Sequence, residues 1–175
     1  MNLVYLYTSF EGRLNRKRFW LGILLLAAIS IVIDLAFVIY LAVRFGVPAS
    51  ANASDWELWQ NNLASQVKLV NFVLQLVLLY PSAALMVKRL HDRNRPGYFA
   101  VFWLAPGLLY NLADVAGFSS SGPAKMNVLE IVLLFVTIAV GIAFFIELGC
   151  RRGTVGANRY GPDPLWAGFA RAPAR

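Results

Sequence analysis

The sequence predicts an all-α fold: an integral membrane four-helix bundle with both termini in the cytoplasm. Composition, block length and charge placement each point to it. Of the 175 residues, 59% are hydrophobic and 14% are charged. A soluble domain carries about 45–50% apolar and about 25% charged residues. The surplus is too large for one water-soluble core of this length. It is gathered into four long blocks, the pattern that a lipid environment selects.

The first block runs from Phe19 to Phe45 and is apolar except for Ser30, Asp34, Tyr40 and Arg44. The others cover about 67–87, 98–116 and 128–148. A helix needs roughly 20 apolar residues to cross a hydrocarbon core of about 30 Å. The last three blocks match that length, and the first must tilt or reach past the membrane. Basic residues, an apolar stretch and Ala51-Asn52-Ala53 also imitate a cleavable signal peptide. The apolar region of such a peptide is only about 7–15 residues long, so an uncleaved span is expected instead. Tyr80-Pro81 lies inside span two and is expected to kink it. The chain thus divides into a basic segment (1–18), a four-span domain (19–148) and a tail (149–175).

Orientation follows from Lys and Arg. Four lie in the N-terminal segment (Arg13, Arg16, Lys17, Arg18) and four between spans two and three (Lys88, Arg89, Arg93, Arg95). Five more lie in the tail (Arg151, Arg152, Arg159, Arg171, Arg175), making 13 of the 16 basic residues. The loop from Gly46 to Gln66 has none, and that from Gly117 to Asn127 has only Lys125. The positive-inside rule places the basic side in the cytoplasm, which suits a bacterial inner (plasma) membrane. Topology therefore explains the net charge of +7 more simply than nucleic acid does, and no nucleic-acid partner is expected. Trp20, Tyr98 and Trp103 fall near span boundaries, where aromatic rings favour the headgroup zone. Trp56 and Trp59 are spaced to share one face of a short interfacial helix.

One cysteine, Cys150, excludes an intrachain disulfide, and one histidine, His91, excludes nearly every zinc site built from several His and Cys ligands. No metal or other cofactor is expected, and no P-loop, nucleophile elbow or H-E-x-x-H motif is present.

Three polar segments lie on the basic side: Phe10 to Trp20, Lys88 to Tyr98 and Gly153 to Pro164. Their most specific parts are Gly12-Arg13 with Arg16 and Phe19-Trp20, then Arg89-Leu90-His91-Asp92, then Gly156 with Asn158 and Tyr160-Gly161-Pro162-Asp163-Pro164. In this order, between these spans, the pattern resembles the bacterial domain-of-unknown-function-805 family of inner-membrane proteins. The resemblance covers about Phe10 to Leu165. One departure is Arg95-Pro96-Gly97-Tyr98, where the family more often has a small residue before the glycine and a tryptophan after it. The resemblance implies a compact four-helix membrane domain and no established activity.

The segments can also be read one by one. Arg13, Arg16, Lys17 and Arg18 hold the N-terminus inside and attract anionic headgroups, at about 1 kcal/mol for each charge near the surface. His91-Asp92 resembles the dyad of metal phosphohydrolases, but the further histidines those enzymes need are lacking. Asp92 is instead expected to pair locally with Arg89 or Arg95. Gly161-Pro162-Asp163-Pro164 is a stiff turn, with Asn158 and Asp163 able to bond nearby backbone. All three segments hang from helix ends at one membrane face. Arg13, Arg16, Arg89, His91, Asp92, Asn158, Tyr160 and Asp163 are therefore expected to converge on one polar patch, with Asp92 and Asp163 each holding an arginine.

Asp34 is the outlier within the membrane. It lies about 22 Å along span one, at the depth of Asn71 and about one turn from Gln75 on span two. A carboxylate there costs on the order of 2.5–3.5 kcal/mol, so it should face the bundle and find a partner, Asn71 or Gln75, or else be protonated. Glu147 and Arg151 form an ordinary i, i+4 pair.

The first expectation is a small binding or regulatory membrane protein, with no catalytic residues, whose cytoplasmic patch takes an anionic lipid or a membrane-protein partner. The alternative is a subunit of a homo-oligomeric transporter or channel that uses Asp34. A second alternative is a lipid- or phosphate-ester-modifying enzyme with His91 as base.

Overall fold

In the computed structural model, residues 2–46, 52–118 and 127–165 are described. Pro48, Lys125, Arg171 and Arg175 lie outside them. Among the described residues, five helices follow in chain order: α1 (Leu3–Thr8), α2 (Arg16–Phe45), α3 (Ala53–Asp92), α4 (Phe99–Val115) and α5 (Val128–Phe144). A π-helical turn, Phe145–Cys150, prolongs α5. Among the described residues there is no strand, and the sole β pairing is a single bridge between Asn158 and Gly161. Among the described residues, three helices are long and apolar enough to cross a membrane, and α4 is a shorter apolar helix. At 17 residues, α4 is about 25 Å long.

Local chemistry sets the helix ends. Asn2 and Asn15 cap α1 and α2 by accepting from the N–H groups of Val4 and Arg18, donors that would otherwise lack a partner. Asn127 and Glu130 form a reciprocal capping box on α5. The turn after α3 needs a left-handed residue, and Asn94 supplies it at φ 56°. Asparagine tolerates that region better than most side chains.

Two elements differ from the expected spans. The segment before span one, expected only as a basic stretch, contains the short helix α1. The helix carrying span two begins at Ala53, well before residue 67, and has 40 residues. It is about 60 Å long, so its first turns stand clear of the hydrocarbon. Trp56 and Trp59 sit on that overhang, edge to face at 5.7 Å, rather than on a separate interfacial helix. The helix continues through Pro81.

Packing is uneven along the bundle. Leu6, Leu14, Phe19, Leu26, Leu85, Leu90, Ala100 and Leu148 form one buried cluster, and it lies toward the basic end. There α2 meets the end of α5 through Phe19 and Phe144, whose rings are 6.0 Å apart. Two glycines permit the close approach. A Cβ at Gly22 would press on the Leu85 side chain, and one at Gly149 would strike the Trp20 ring. Toward the other end the helix faces are largely exposed and apolar, as lipid-facing surfaces are.

Candidate functional site

At the basic end, Asp92 is the centre on which the polar segments meet. It lies in the last turn of α3 with its side chain 5% exposed. Its Oδ1 accepts from Arg13 Nε at 3.1 Å, and its Oδ2 is ion-paired with Arg89 one turn back. One carboxylate therefore holds two arginines, one on each oxygen.

Both guanidiniums spend their remaining donors on backbone. Arg89 is fully buried. It donates from Nε to the Leu148 carbonyl at 2.7 Å and from Nη2 to the Arg151 carbonyl at 2.5 Å. It also reaches the Leu14 carbonyl at 3.3 Å. Two of these acceptors lie at the C-terminal end of the α5 helix, where carbonyls lack intrahelical partners and a cation is favoured. Arg13 donates to the carbonyls of Gly156 and Thr154, both at 2.6 Å. It thereby fastens the tail to the N-terminal segment.

The tail docks through further contacts. Thr154 N–H donates to the Asp92 carbonyl at 2.8 Å. Asn158 Nδ2 donates to the His91 carbonyl at 2.9 Å and to Thr154 Oγ1 at 2.8 Å. The rings of His91 and Tyr160 stack at 3.8 Å, 6° from parallel. His91 Nδ1 faces the Gly12 carbonyl at 3.3 Å, which favours the tautomer with the proton on Nδ1. Gly153 rests against the Asp92 carboxylate, so that any Cβ there would collide with it.

Seven of the eight expected patch residues thus come together: Arg13, Arg89, His91, Asp92, Asn158, Tyr160 and Asp163. Arg16 lies at the edge and donates to the Cys150 carbonyl at 3.0 Å. The expectation that Asp163 holds an arginine is corrected. Asp163 accepts from the backbone N–H groups of Leu165 (2.9 Å) and Gly156 (3.1 Å) and so ties the tail into a turn. Those N–H donors, the Leu165 one foremost, hold its carboxyl below the usual carboxylate range, with Arg13 and Arg152 nearby adding to the effect. Of the two local partners expected for Asp92, Arg89 is the one found. Arg95 turns instead to Glu147 at 3.2 Å.

Sequence reading did not single out Lys88, Thr154 or the wider role of Glu147. Lys88 is buried and donates to the Tyr5 and Leu6 carbonyls at 2.8 and 2.6 Å, anchoring α1. In the sequence it reads as one more basic residue at a span end. Glu147 pairs with Arg151 as expected (2.7 Å) and also with Arg93 (3.3 Å) and Arg95. Only the fold brings those two arginines to it.

Beside this network lies a cleft of about 510 Å³ between the start of α2 and the tail. Arg16, Lys17 and Arg152 line it, with Arg89 and Asp92 also among its walls. A second cavity, of about 400 Å³, lies among α2, α3 and α4. Asp34, Asn71 and Gln75 line it together, as their depths predict, but the expected pairing is corrected: among the described residues, Asp34 hydrogen-bonds neither of them, and Gln75 Oε1 is left without a partner.

A family model described as "Protein of unknown function (DUF805)" matches residues 7–162. The chain belongs to the DUF805 family. Among the relatives of this DUF805 protein are three from Escherichia coli strain K12. "Uncharacterized protein YiiR" is 30% identical over 89% of this chain and 85% of its own length. "Inner membrane protein YhaI" is 24% identical over 90% of this chain and 87% of its own. "Inner membrane protein YhaH" is 24% identical over 90% and 88%. No solved structure matches significantly. The apolar helices and these relatives make the DUF805 chain a multi-pass inner-membrane protein.

Proposed function

We propose that this protein is a small binding or regulatory membrane protein whose basic end takes the phosphate of an anionic lipid headgroup from the cytoplasmic leaflet. The observation that carries this is a division of labour among the cations. Arg13 and Arg89 are committed to Asp92 and to backbone carbonyls. Arg16, Lys17 and Arg152 are exposed and line one cleft.

The cleft opens at the start of α2, the level at which a helix entering the bilayer meets the headgroups. The first N–H groups of a helix lack intrahelical acceptors, and the helix dipole favours negative charge there. Each basic side chain near the surface adds about 1 kcal/mol of attraction to anionic lipid. No bond need be made or broken in this role. The stacking of His91 on Tyr160 and its contact with Gly12 favour binding over use of His91 as a base.

The test is lipid retention by the purified chain, read by native mass spectrometry with phosphatidylglycerol and phosphatidylcholine in competition. Retention of phosphatidylglycerol is expected. The double change Lys17→Gln/Arg152→Gln, which removes no hydrogen bond of the Asp92 network, should lower its affinity roughly thirtyfold, two charges at about 1 kcal/mol each. Equal retention of both lipids, or no effect of the double change, refutes the reading.

A further inference from the structure

We propose that the cavity around Asp34 is a second binding site, for a lipophilic monocation: an amphiphile with one ammonium group and an apolar body. It does not rest on the headgroup reading and lies farther along the bundle, beyond the buried cluster of the basic end.

Three features of the cavity lead there. The first is an uncompensated acceptor set. Among the described residues, Asp34 makes no hydrogen bond or ion pair, and Gln75 Oε1 is buried without a partner. Asn71, Ser30 and Asn111 add oxygens to the same walls. A single carboxylate with neutral oxygens matches one positive charge. A divalent ion would leave excess charge at membrane depth.

The second is the apolar remainder of the lining. Leu74, Leu78, Leu79, Met86 and Leu104 supply it, and Ser82 is the one further polar residue of the walls. A bare metal ion has no use for such walls, whereas the hydrocarbon body of an amphiphile does. The third is shape. The α3 residues that line the cavity run from Asn71 to Met86, a rise of about 22 Å. Asp34, Asn71 and Asn111 stand toward the end away from the basic residues, and Met86 toward the basic end. An ammonium at Asp34 therefore lies in the outer half, with its chain running inward along α3. Van der Waals contact with the leucines and a charge-assisted hydrogen bond to the carboxylate act together, and in a low-dielectric setting the second is strong.

The experiment uses the full chain in phosphatidylcholine nanodiscs and radiolabelled dodecylamine as the probe, with empty nanodiscs as the partition control. Saturable binding above that control is expected. Asp34→Asn should weaken it by about tenfold or more, the loss of one charge-assisted contact, while Asp34→Glu should retain most of it. Unlabelled dodecylamine should compete, and 1-dodecanol, of equal length and no charge, should not. Dodecylamine should also slow modification of Asp34 by dicyclohexylcarbodiimide, read by peptide mass spectrometry, so that the wild-type chain alone supplies a test. Binding no greater than in empty nanodiscs overturns the proposal. So does equal competition by dodecanol, or Asp34→Asn binding like wild type. Interchain disulfide formation by Leu79→Cys in a Cys150→Ser background would show the groove filled by a second copy, and would overturn it as well. Failure here leaves the headgroup reading intact, because Lys17 and Arg152 play no part in this cavity.

Discussion

Asp92 and Asp34 are the same residue type on neighbouring helices, and the fold treats them in opposite ways. Asp92 has an arginine on each oxygen, and both arginines also donate to backbone carbonyls. Asp34 faces a cavity with no partner among the described residues. The difference follows the bilayer. Near the membrane surface, long basic side chains are admissible and can fold back onto a carboxylate. Deeper in, a lysine or arginine costs as much as the aspartate itself, on the order of 2.5–3.5 kcal/mol on insertion scales. Lipid tails are as apolar as leucine, so helices gain little from burying apolar faces against one another there. The polar pairing is therefore gathered at the basic end, while the cavity at Asp34 is lined without it.

The largest effect should come from breaking the paired end. Asp92→Asn leaves two buried guanidiniums without their counter-charge. Removing one partner of a buried pair costs about 3–5 kcal/mol, so a large fall in the unfolding midpoint in detergent is expected. An unchanged midpoint would mean that the network does not hold the bundle.

Next is Gly153→Ala, which leaves every charge in place and tests fit alone. The added Cβ meets the Asp92 carboxylate, and the tail must shift to make room. Overpacking of this kind costs about 1–3 kcal/mol. The tail should also become more open to limited proteolysis between Gly153 and Leu165, and protection equal to wild type would count against the docking described.

The smallest effect should come from Asp34→Asn. The change removes a charge and breaks no bond of the described structure, while an amide remains polar. A shift of about 1 kcal/mol or less, toward greater stability, is expected. A loss as large as that of Asp92→Asn would erase the distinction between the two aspartates.

Much of the molecule was legible along the chain. Four apolar blocks of membrane length and a one-sided charge distribution determine the fold class and membrane location, because the bilayer fixes both the length of a span and the energetic standing of charge. The depths of Asp34, Asn71 and Gln75 also follow from a constant rise per residue, and the three share one cavity as that arithmetic requires. Convergence of the polar segments follows from connectivity, since all hang from helix ends at one face.

What the tertiary structure alone decided is pairing. Residues 13, 89 and 92 are charged in any reading, but only packing tells that Asp92 takes both arginines while Asp163 takes backbone N–H groups. Hydrogen bonds depend on ångström-scale position, and position here is set by close contacts such as Gly22 on Leu85 and Gly149 on Trp20. The same holds for Lys88, indistinguishable in sequence from a topogenic charge, and for Glu147, whose partners Arg93 and Arg95 lie 54 and 52 positions away along the chain. Sequence spacing reports which face a residue occupies. Which neighbour it meets depends on how separate helices approach, and that is a property of the packed bundle.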